Sequence, residues 1–266
     1  MFKTRVISAC VFVPLILLAT YFGGWLFTLL IAFVAVVGGY EFGNLLKAHG
    51  YRFSLPLYVI SALCFIAFAY FAEGYNIIIL ALIFLLLAVH GFLFVLQRLT
   101  IEEAAVSFFG IYYVAFTMST MVSMRIHMEG GLFLILLIFI IQWLTDSGAY
   151  LVGSNFGRHK LMPKISPKKS VEGAAGGVVV AVIAAVIFNF IFPVLPLGWL
   201  IAVTVVASVL GQIGDLVESA FKRWAGVKDS GNLIPGHGGV LDRFDSLLFI
   251  APFLYIFLLF YSNYLQ

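Results

Sequence analysis

The sequence predicts an all-α, polytopic integral membrane protein with about nine transmembrane helices. Of its 266 residues, 63% are hydrophobic and only 10% are charged, and the mean hydropathy is +1.12. Soluble globular domains are usually about 45–50% apolar and about 25% charged. The apolar residues fall into runs of the length that a helix needs to cross the hydrocarbon core, about 20 residues. Lysine and arginine are concentrated in alternate links between these runs.

Nine apolar runs justify the nine predicted helices. They lie at about residues 5–22, 25–44, 54–72, 76–97, 104–122, 131–149, 173–192, 197–216 and 246–264. The first run follows a basic N-terminus but is too long for a cleaved signal, and a second run follows at once. We therefore interpret it as an uncleaved helix.

Cys10 and Cys64 lie inside apolar runs, where we expect two free cysteines and no disulfide.

The basic residues predict the orientation of these helices. With the N-terminus in the cytoplasm, fourteen of the fifteen lysines and arginines fall on the cytoplasmic side, and only Arg125 falls on the other side. Cytoplasmic loops carry such an excess. We therefore expect a cytoplasmic N-terminus and a C-terminus on the opposite side. Because no transit peptide is evident, we expect a bacterial inner (plasma) membrane.

Charge is distributed unevenly along the chain and predicts two regions. Residues 1–130 hold about five spans with short polar links, whereas residues 131–266 contain two charged cytoplasmic segments, at about 146–172 and 214–246. A charge at the bilayer centre costs about 2.5–3.5 kcal/mol. The charged side chains must therefore face water, a protein cavity or one another. We expect the chemistry in the second region, facing the cytoplasm.

The second charged segment begins with a polar helix face. Asp215 is followed at offsets of three, four and seven residues by Glu218, Ser219 and Lys222, which lie on one side of a helix continuing the eighth apolar run. Such a face could line a polar cavity at headgroup depth. It is equally compatible with a solvated helix end whose long side chains reach water. These residues alone leave both interpretations open.

A glycine-rich turn follows at residues 235–239, "PGHGG". Glycines adopt positive φ and allow close approach of a ligand, and a helix is expected to restart at about residue 240. Exposed N–H groups at a helix start bind phosphate. The nearby Asp242 and Asp245 would repel a phosphate unless a cation lay between them. Together with Asp215 they predict a Mg²⁺ site that is completed by substrate phosphates.

The first charged segment is rich in lysine and admits two interpretations. Its four lysines could bind anionic lipid headgroups, at about 1 kcal/mol each, or they could clamp a polyphosphate or lipid phosphate. They are Lys160, Lys164, Lys168 and Lys169. Ser170 also fits an ordinary helix N-cap, and Asp146 is expected at the end of the sixth helix.

Residues 219–245, "SAFKRWAGVKDSGNLIPGHGGVLDRFD", resemble the signature of the phosphatidate cytidylyltransferases, also called CDP-diacylglycerol synthases. The matching positions are Ser219, Phe221, Lys222, Arg223, Lys228, Asp229, Gly231, Ile234, Pro235, His237, Gly238, Gly239, Asp242, Arg243, Phe244 and Asp245. The upstream "DSGAY" and "ISPKKSVEG" are also similar to the family. The resemblance in motifs covers about residues 146–245.

The resemblance implies a metal-dependent transfer of CMP from CTP to phosphatidate, which yields CDP-diacylglycerol and pyrophosphate. We expect one or two Mg²⁺ ions, with a second, different cation left open. Expected metal ligands are Asp215, Asp242 and Asp245, and less strongly Asp146 and Asp229. Lys222 and His237 join the first three as catalytic candidates, although His237 alone is more typical of a structural residue. Expected substrate-binding residues are Ser219, Arg223, Lys228, Gly238, Gly239, Arg243, Lys160, Lys168 and Lys169.

Three other classes of protein fit the sequence less well. A transporter would carry its charges near the membrane midplane, whereas here they cluster at one face. A CDP-alcohol phosphotransferase would contain an Asp-Gly-x-x-Ala-Arg run, which this sequence does not have. A non-enzymatic scaffold would not need this combination of residues.

Expected partners are CTP, phosphatidate and membrane lipids, without nucleic acid. The small residues of "GAAGG" favour close helix packing and make a homodimer plausible.

Overall fold

A computed structural model describes residues 2–71, 76–236 and 238–264. Each of the nine apolar runs overlaps a helix. The helices are α1 (Phe2–Phe22), α2 (Gly24–Ala48), α3 (Leu55–Phe71), α4 (Asn76–Val95), α5 (Ile101–Gly110), α6 (Thr117–His127), α7 (Gly131–Phe156), α8 (Val171–Ile191), α9 (Leu197–Trp224), α10 (Leu241–Phe244) and α11 (Leu247–Tyr264). A π-helical segment, Ile111–Phe116, joins α5 to α6.

Five helical stretches in the described residues are long and apolar enough to cross a membrane. They are Gly24–Ala48, Ile101–His127, Gly131–Phe156, Val171–Ile191 and Leu197–Trp224. Four shorter apolar helices accompany them, at Cys10–Phe22, Leu55–Phe71, Ala81–Val95 and Leu247–Asn263. The prediction of a helical, membrane-embedded protein is therefore confirmed in outline. The number of spans and their orientation stay predictions.

The expectation of an all-α fold needs one correction, in the lysine-rich segment. Strands β1 (Lys160–Met162) and β2 (Ser166–Ser170) form an antiparallel hairpin in which Lys160 pairs with Ser170. Successive side chains of a strand point to opposite faces. Lys168 is accordingly exposed and Lys169 half-buried. Hydropathy cannot reveal this hairpin, because β1 has only three residues and β2 contains no strongly apolar side chain.

The chain divides into two compact units. The first unit comprises Met1–His127 and Phe221–Arg243. Helix α2 contacts α1, α3, α5 and α6 within it. Phe42 of α2 lies in an aromatic cluster, with ring centroids 5.9 Å from Tyr113 and 5.3 Å from Phe221. The segment that carries most of the signature thus folds with the N-terminal helices.

The second unit comprises Met128–Ala220 and Phe244–Gln266, and glycines let α7 and α8 pack closely in it. A Cβ on Gly173 would lie 2.8 Å from the Ala149 carbonyl oxygen, and one on Gly177 would lie 2.6 Å from that of Thr145. The small residues of "GAAGG" therefore serve packing within the chain. They give no reason to expect a homodimer, which stays an untested prediction.

Helix α9 is attached to both of these helices by polar contacts. The hydroxyls of Thr145 and Ser208 lie 2.7 Å apart, and Gln212 Nε2 donates to the Ala174 carbonyl at 3.2 Å. Hydrogen bonds of this kind stabilise contacts between apolar helices. They fix the helix that carries Asp215.

Candidate active site

Helix α9 continues the eighth apolar run to Trp224, as predicted. Ser219 Oγ donates to Asp215 Oδ1 at 3.3 Å, which confirms that these two side chains share a face. Gly226, two residues beyond the end of the helix, terminates it and has a φ of +73°. The Val227 N–H donates to the Lys222 carbonyl at 2.9 Å, and Gly226 N–H to the Arg223 carbonyl at 3.1 Å. This is a Schellman arrangement, which requires a left-handed residue and therefore favours glycine.

Three carboxylates of the second unit act electrostatically on Asp245. We call these four residues the acidic cluster: Asp146, Asp215, Glu218 and Asp245. Asp245 is 8% exposed and Glu218 is fully buried. A Cβ on Gly214 would lie 2.7 Å from the Asp245 carbonyl oxygen, so this glycine lets the chain at Asp245 approach α9. Burial raises the pKa of Asp245 well above its usual value, and the charges of Asp215, Glu218 and Asp146 raise it further.

A lysine supplies positive charge to this cluster. Lys169 Nζ lies 2.6 Å from Asp215 Oδ2, and the two side chains are 26% and 31% exposed. With all groups ionised, four carboxylates and one ammonium leave a net charge of −4 + 1 = −3. Lys169 was predicted as a substrate-binding residue, and its strand places it against one of the predicted metal ligands.

The donor set of the acidic cluster fits a hard divalent cation. Carboxylate oxygens are the ligands that Mg²⁺ prefers, and it is usually held by one or two of them together with substrate phosphates. Within residues 2–71, 76–236 and 238–264, no three His, Cys, Asp or Glu side chains converge closely enough to form a metal site by themselves. Ligation of Mg²⁺ by Asp215 and Asp245, completed by substrate oxygens, stays a prediction.

The position expected for Asp146 was wrong. We expected this residue at a helix end, but α7 continues to Phe156, which places Asp146 roughly three turns inside the helix. The apolar run ends near residue 149 because the following "GAYLVGSNF" is mixed in polarity, yet it remains helical. Asp146 still acts electrostatically on Asp245.

Asp242, in the first unit, is surrounded by hydrogen-bond donors. Its Oδ1 accepts from Lys222 Nζ at 2.5 Å, and its Oδ2 accepts from Gly239 N–H at 2.8 Å and from Ser230 N–H at 3.0 Å. Burial alone would raise the pKa of Asp242, but Lys222 and the N–H groups outweigh it and hold the pKa below its usual value. Its place in a metal site stays a prediction.

A buried glutamate that sequence reasoning missed occupies the glycine turn. Glu41 of α2 is 3% exposed. Its Oε1 accepts from Val240 N–H at 3.0 Å, and its Oε2 accepts from Leu241 N–H at 2.7 Å. We had assigned no chemistry to residues 1–130. The available signal was an acidic residue inside an apolar run, which is rare and usually functional.

The expected phosphate-binding turn therefore needs correction. Gly236 and Gly238 do have positive φ, of +77° and +85°. The N–H groups of residues 239–241, however, donate to Asp242 and Glu41. Helix α10 is also only four residues long. The turn is organised around protein carboxylates, so the predicted role of the Gly239 N–H in substrate binding is not supported by this geometry.

The remaining predicted residues are mostly exposed. Arg223 Nη1 donates to the Val227 carbonyl at 3.0 Å. Exposed side chains belong to Lys160, Lys168, Arg223, Lys228, Asp229 and Arg243. His237 lies outside the described residues. Ser170 is the N-cap of α8 and accepts from Gly173 N–H at 3.1 Å, which confirms the simpler interpretation of that residue.

Comparisons with known proteins agree with the motif. The sequence pattern of the cytidylyltransferase family matches residues 3–261. The chain is 38% identical over 192 residues to the phosphatidate cytidylyltransferase of Bacillus subtilis (strain 168), across 72% of this chain and 71% of that protein. It is 40% identical over 164 residues to the enzymes of the same name from Staphylococcus haemolyticus (strain JCSC1435) and Staphylococcus aureus (strain COL), across 61% of this chain and 62% of those proteins.

Proposed function

The chain belongs to the cytidylyltransferase family, and from this membership we propose that it transfers CMP from CTP to phosphatidate. An oxygen of the lipid phosphate forms a bond to the α-phosphorus of CTP. The bond from that phosphorus to the oxygen bridging to the β-phosphorus breaks, and pyrophosphate leaves. The products are CDP-diacylglycerol and pyrophosphate. The relatives named above carry the corresponding name.

The acidic cluster is the observation that supports this reaction at a defined place. Four carboxylates, of which Glu218 and Asp245 are buried, would repel two anionic substrates, so the cluster fits catalysis only with a bound cation. We propose that Asp215 and Asp245 hold Mg²⁺, which would draw the two phosphates together and neutralise their charge. The charges of Asp146 and Glu218 add negative potential at Asp245.

Two lysines are assigned to substrate phosphates in this proposal. Lys169 contacts Asp215 and can exchange this carboxylate for a substrate phosphate. Lys222 is held by Asp242 at 2.5 Å, which fixes its ammonium group before substrate arrives. A phosphate monoester is already largely ionised near neutral pH, so its attack needs no strong base. Catalysis then rests on positioning and charge neutralisation.

We place the reaction at the cytoplasmic face of a bacterial inner membrane, with about nine spans and the N-terminus inside. The support is the fourteen-to-one distribution of lysine and arginine and the bacterial source of the relatives. Phosphatidate is then available from the surrounding lipid, and CTP from the cytoplasm.

The test is an assay of purified protein in detergent with CTP labelled at the α-phosphate. With phosphatidate and Mg²⁺, the label should enter the lipid fraction and pyrophosphate should be released in equal amount. Omitting phosphatidate or adding EDTA should stop both. Absence of lipid-soluble label under the complete conditions would refute the proposed reaction, whereas undiminished turnover in EDTA would refute only the metal.

A pair of variants locates the site. Asp215→Asn should lower kcat at least about 100-fold, because it removes a charge from the proposed cation site. Glu102→Gln is the matched control, since Glu102 is an exposed acid on α5, and should keep wild-type kcat. Equal kcat in the two variants would remove Asp215 from the site.

A further inference from the structure

We propose that Glu41 is a positioning residue for the transferase reaction: it fixes the turn of residues 238–242 and, through Asp242, the ammonium group of Lys222. The inference rests on the proposed function. Glu41 lies in α2, far in sequence from the signature. Its hydrogen-bond partners are Ser230, Val240 and Leu241, none of which we assign to substrate. Its effect must therefore pass through the turn.

The carboxylate of Glu41 accepts hydrogen bonds from two consecutive backbone amides. Its two oxygens accept separately from Val240 N–H and Leu241 N–H, at 3.0 and 2.7 Å. A carboxylate that accepts two backbone N–H groups fixes both the position and the orientation of that peptide segment. Asp242 is the next residue along the chain, so its side chain starts from a backbone that Glu41 holds.

Two glycines of the signature leave room for this carboxylate. A Cβ on Gly231 would lie 2.7 Å from Glu41 Cδ, and a Cβ on Gly239 would lie 2.5 Å from Glu41 Oε2. Either side chain would overlap the acid. Neither position has a φ in the left-handed region, so the close approach of Glu41 is the physical reason that they suit glycine.

One hydroxyl joins Glu41 to Asp242. Ser230 Oγ lies within hydrogen-bond distance of both carboxylates, 3.2 Å from Glu41 Oε2 and 2.9 Å from Asp242 Oδ2. Asp242 Oδ1 in turn accepts from Lys222 Nζ. A continuous chain of contacts therefore runs from α2 to the lysine that we assign to substrate phosphate. Displacement of the turn would displace that lysine.

Glu103 provides a matched control in the same unit. It is 6% exposed, and it accepts from Arg52 N–H at 2.9 Å and from Thr100 N–H at 2.8 Å. Like Glu41, it is a buried carboxylate that bridges two backbone amides. Its amides lie outside the signature. If Glu41 served only the stability of the unit, the corresponding changes at the two glutamates would have the same effect.

The experiment compares Glu41→Gln with Glu103→Gln. Glutamine keeps the size but turns an NH₂ group toward one of the two donors. In Glu41→Gln we expect KM for CTP to rise and kcat per folded molecule to fall, each by about 10-fold; displacement of a reacting group by about 1 Å can cost roughly 100-fold. Glu103→Gln should change both by less than about 2-fold, because loss of stability alters the folded fraction and not KM.

Amide hydrogen exchange gives a second readout that needs no turnover. The amides of residues 240 and 241 should exchange faster in Glu41→Gln than in wild type, and should be unchanged in Glu103→Gln. If Glu41→Gln does not fold, Glu41→Asp takes its place: it keeps the charge but is one methylene too short for both amides, and should raise KM for CTP by an intermediate factor.

The inference is overturned if KM for CTP and the exchange of these amides stay at wild-type values, or if both glutamate variants change them equally. A wild-type protein that makes no CDP-diacylglycerol would refute the proposed reaction instead. In that case faster exchange at residues 240 and 241 would still support the hold of Glu41 on the turn, and unchanged exchange would overturn it.

Discussion

Breaking the ion pair between Lys222 and Asp242 should destabilise the protein strongly. The side chains are 12% and 5% exposed, and the nitrogen and oxygen are 2.5 Å apart. Removing one partner of a buried pair costs about 3–5 kcal/mol, because the other charge stays buried. In Lys222→Met, Asp242 keeps its donors from Ser230 and Gly239. We therefore expect about 3 kcal/mol, the lower end of that range.

A double-mutant cycle isolates the pair. Lys222→Met, Asp242→Asn and the double variant are unfolded by titrating SDS into detergent micelles, with tryptophan fluorescence as the signal. The double variant buries no unpaired charge, so the coupling free energy should be about 2 kcal/mol or more. The control cycle uses Arg52→Met and Glu103→Gln, since that pair is 3.8 Å apart and Arg52 is 73% exposed. Its coupling should be below about 0.5 kcal/mol.

The pH dependence of the coupling free energy provides a second test of the Lys222–Asp242 ion pair. The pKa of Asp242 is lowered in the folded protein, so the stability it contributes is present above the ordinary aspartate pKa, about 3.9. It is lost only as pH falls through the lower, folded value. The coupling free energy should therefore be equal at about pH 7.5 and about pH 5. A coupling near zero, or one lost between these pH values, would refute the assignment of a buried ion pair.

Three further changes test other parts of the structure. Asp245→Asn should raise the melting temperature in EDTA. The pKa of Asp245 is raised in the folded protein, so wild-type stability falls as pH rises from about 3.9 toward the folded-state pKa. In the same melts, Mg²⁺ should stabilise the wild type more than the variant. Lys169→Met should raise KM for CTP or phosphatidate about 10-fold, as loss of a charged hydrogen bond does, whereas Lys47→Met, at an exposed lysine of α2, should change it less than about 3-fold in the same assay. Ser170→Ala should lower the free energy of unfolding by about 1 kcal/mol and leave KM unchanged; a change in KM would contradict its role as a helix cap.

Hydropathy predicted the helices well because lipid imposes a simple rule on them. A spanning helix must satisfy its own backbone hydrogen bonds and present apolar side chains over about 20 residues. Each apolar run is consequently helical. The ends are less well predicted. Helix α7 extends past its apolar run to Phe156, and α9 extends to Trp224, because polar residues continue a helix as readily as apolar ones once it has left the hydrocarbon.

Local spacing predicted contacts within one element but not between elements. Ser219 and Asp215 meet because they are four residues apart on one helix. The contact between Glu41 and Val240 joins residues 199 positions apart, and no periodicity indicates it. The same limit explains the error at the glycine turn. The sequence shows which N–H groups a turn exposes, but it does not show which acceptor the rest of the chain supplies to them.

The two aspartates of the "DRFD" sequence have pKa values shifted in opposite directions, because their surroundings differ. The side chain of Asp242 is 5% exposed and receives an ammonium group and backbone N–H groups, so its pKa is lowered and its charge is already compensated. Asp245 accepts from Ser246 N–H at 2.6 Å, and the charges that shift its pKa are those of three acids. A cation is worth most where negative charge is least compensated. On this ground we expect Asp245 rather than Asp242 to bind Mg²⁺, and we propose that Asp242 mainly holds Lys222 in place.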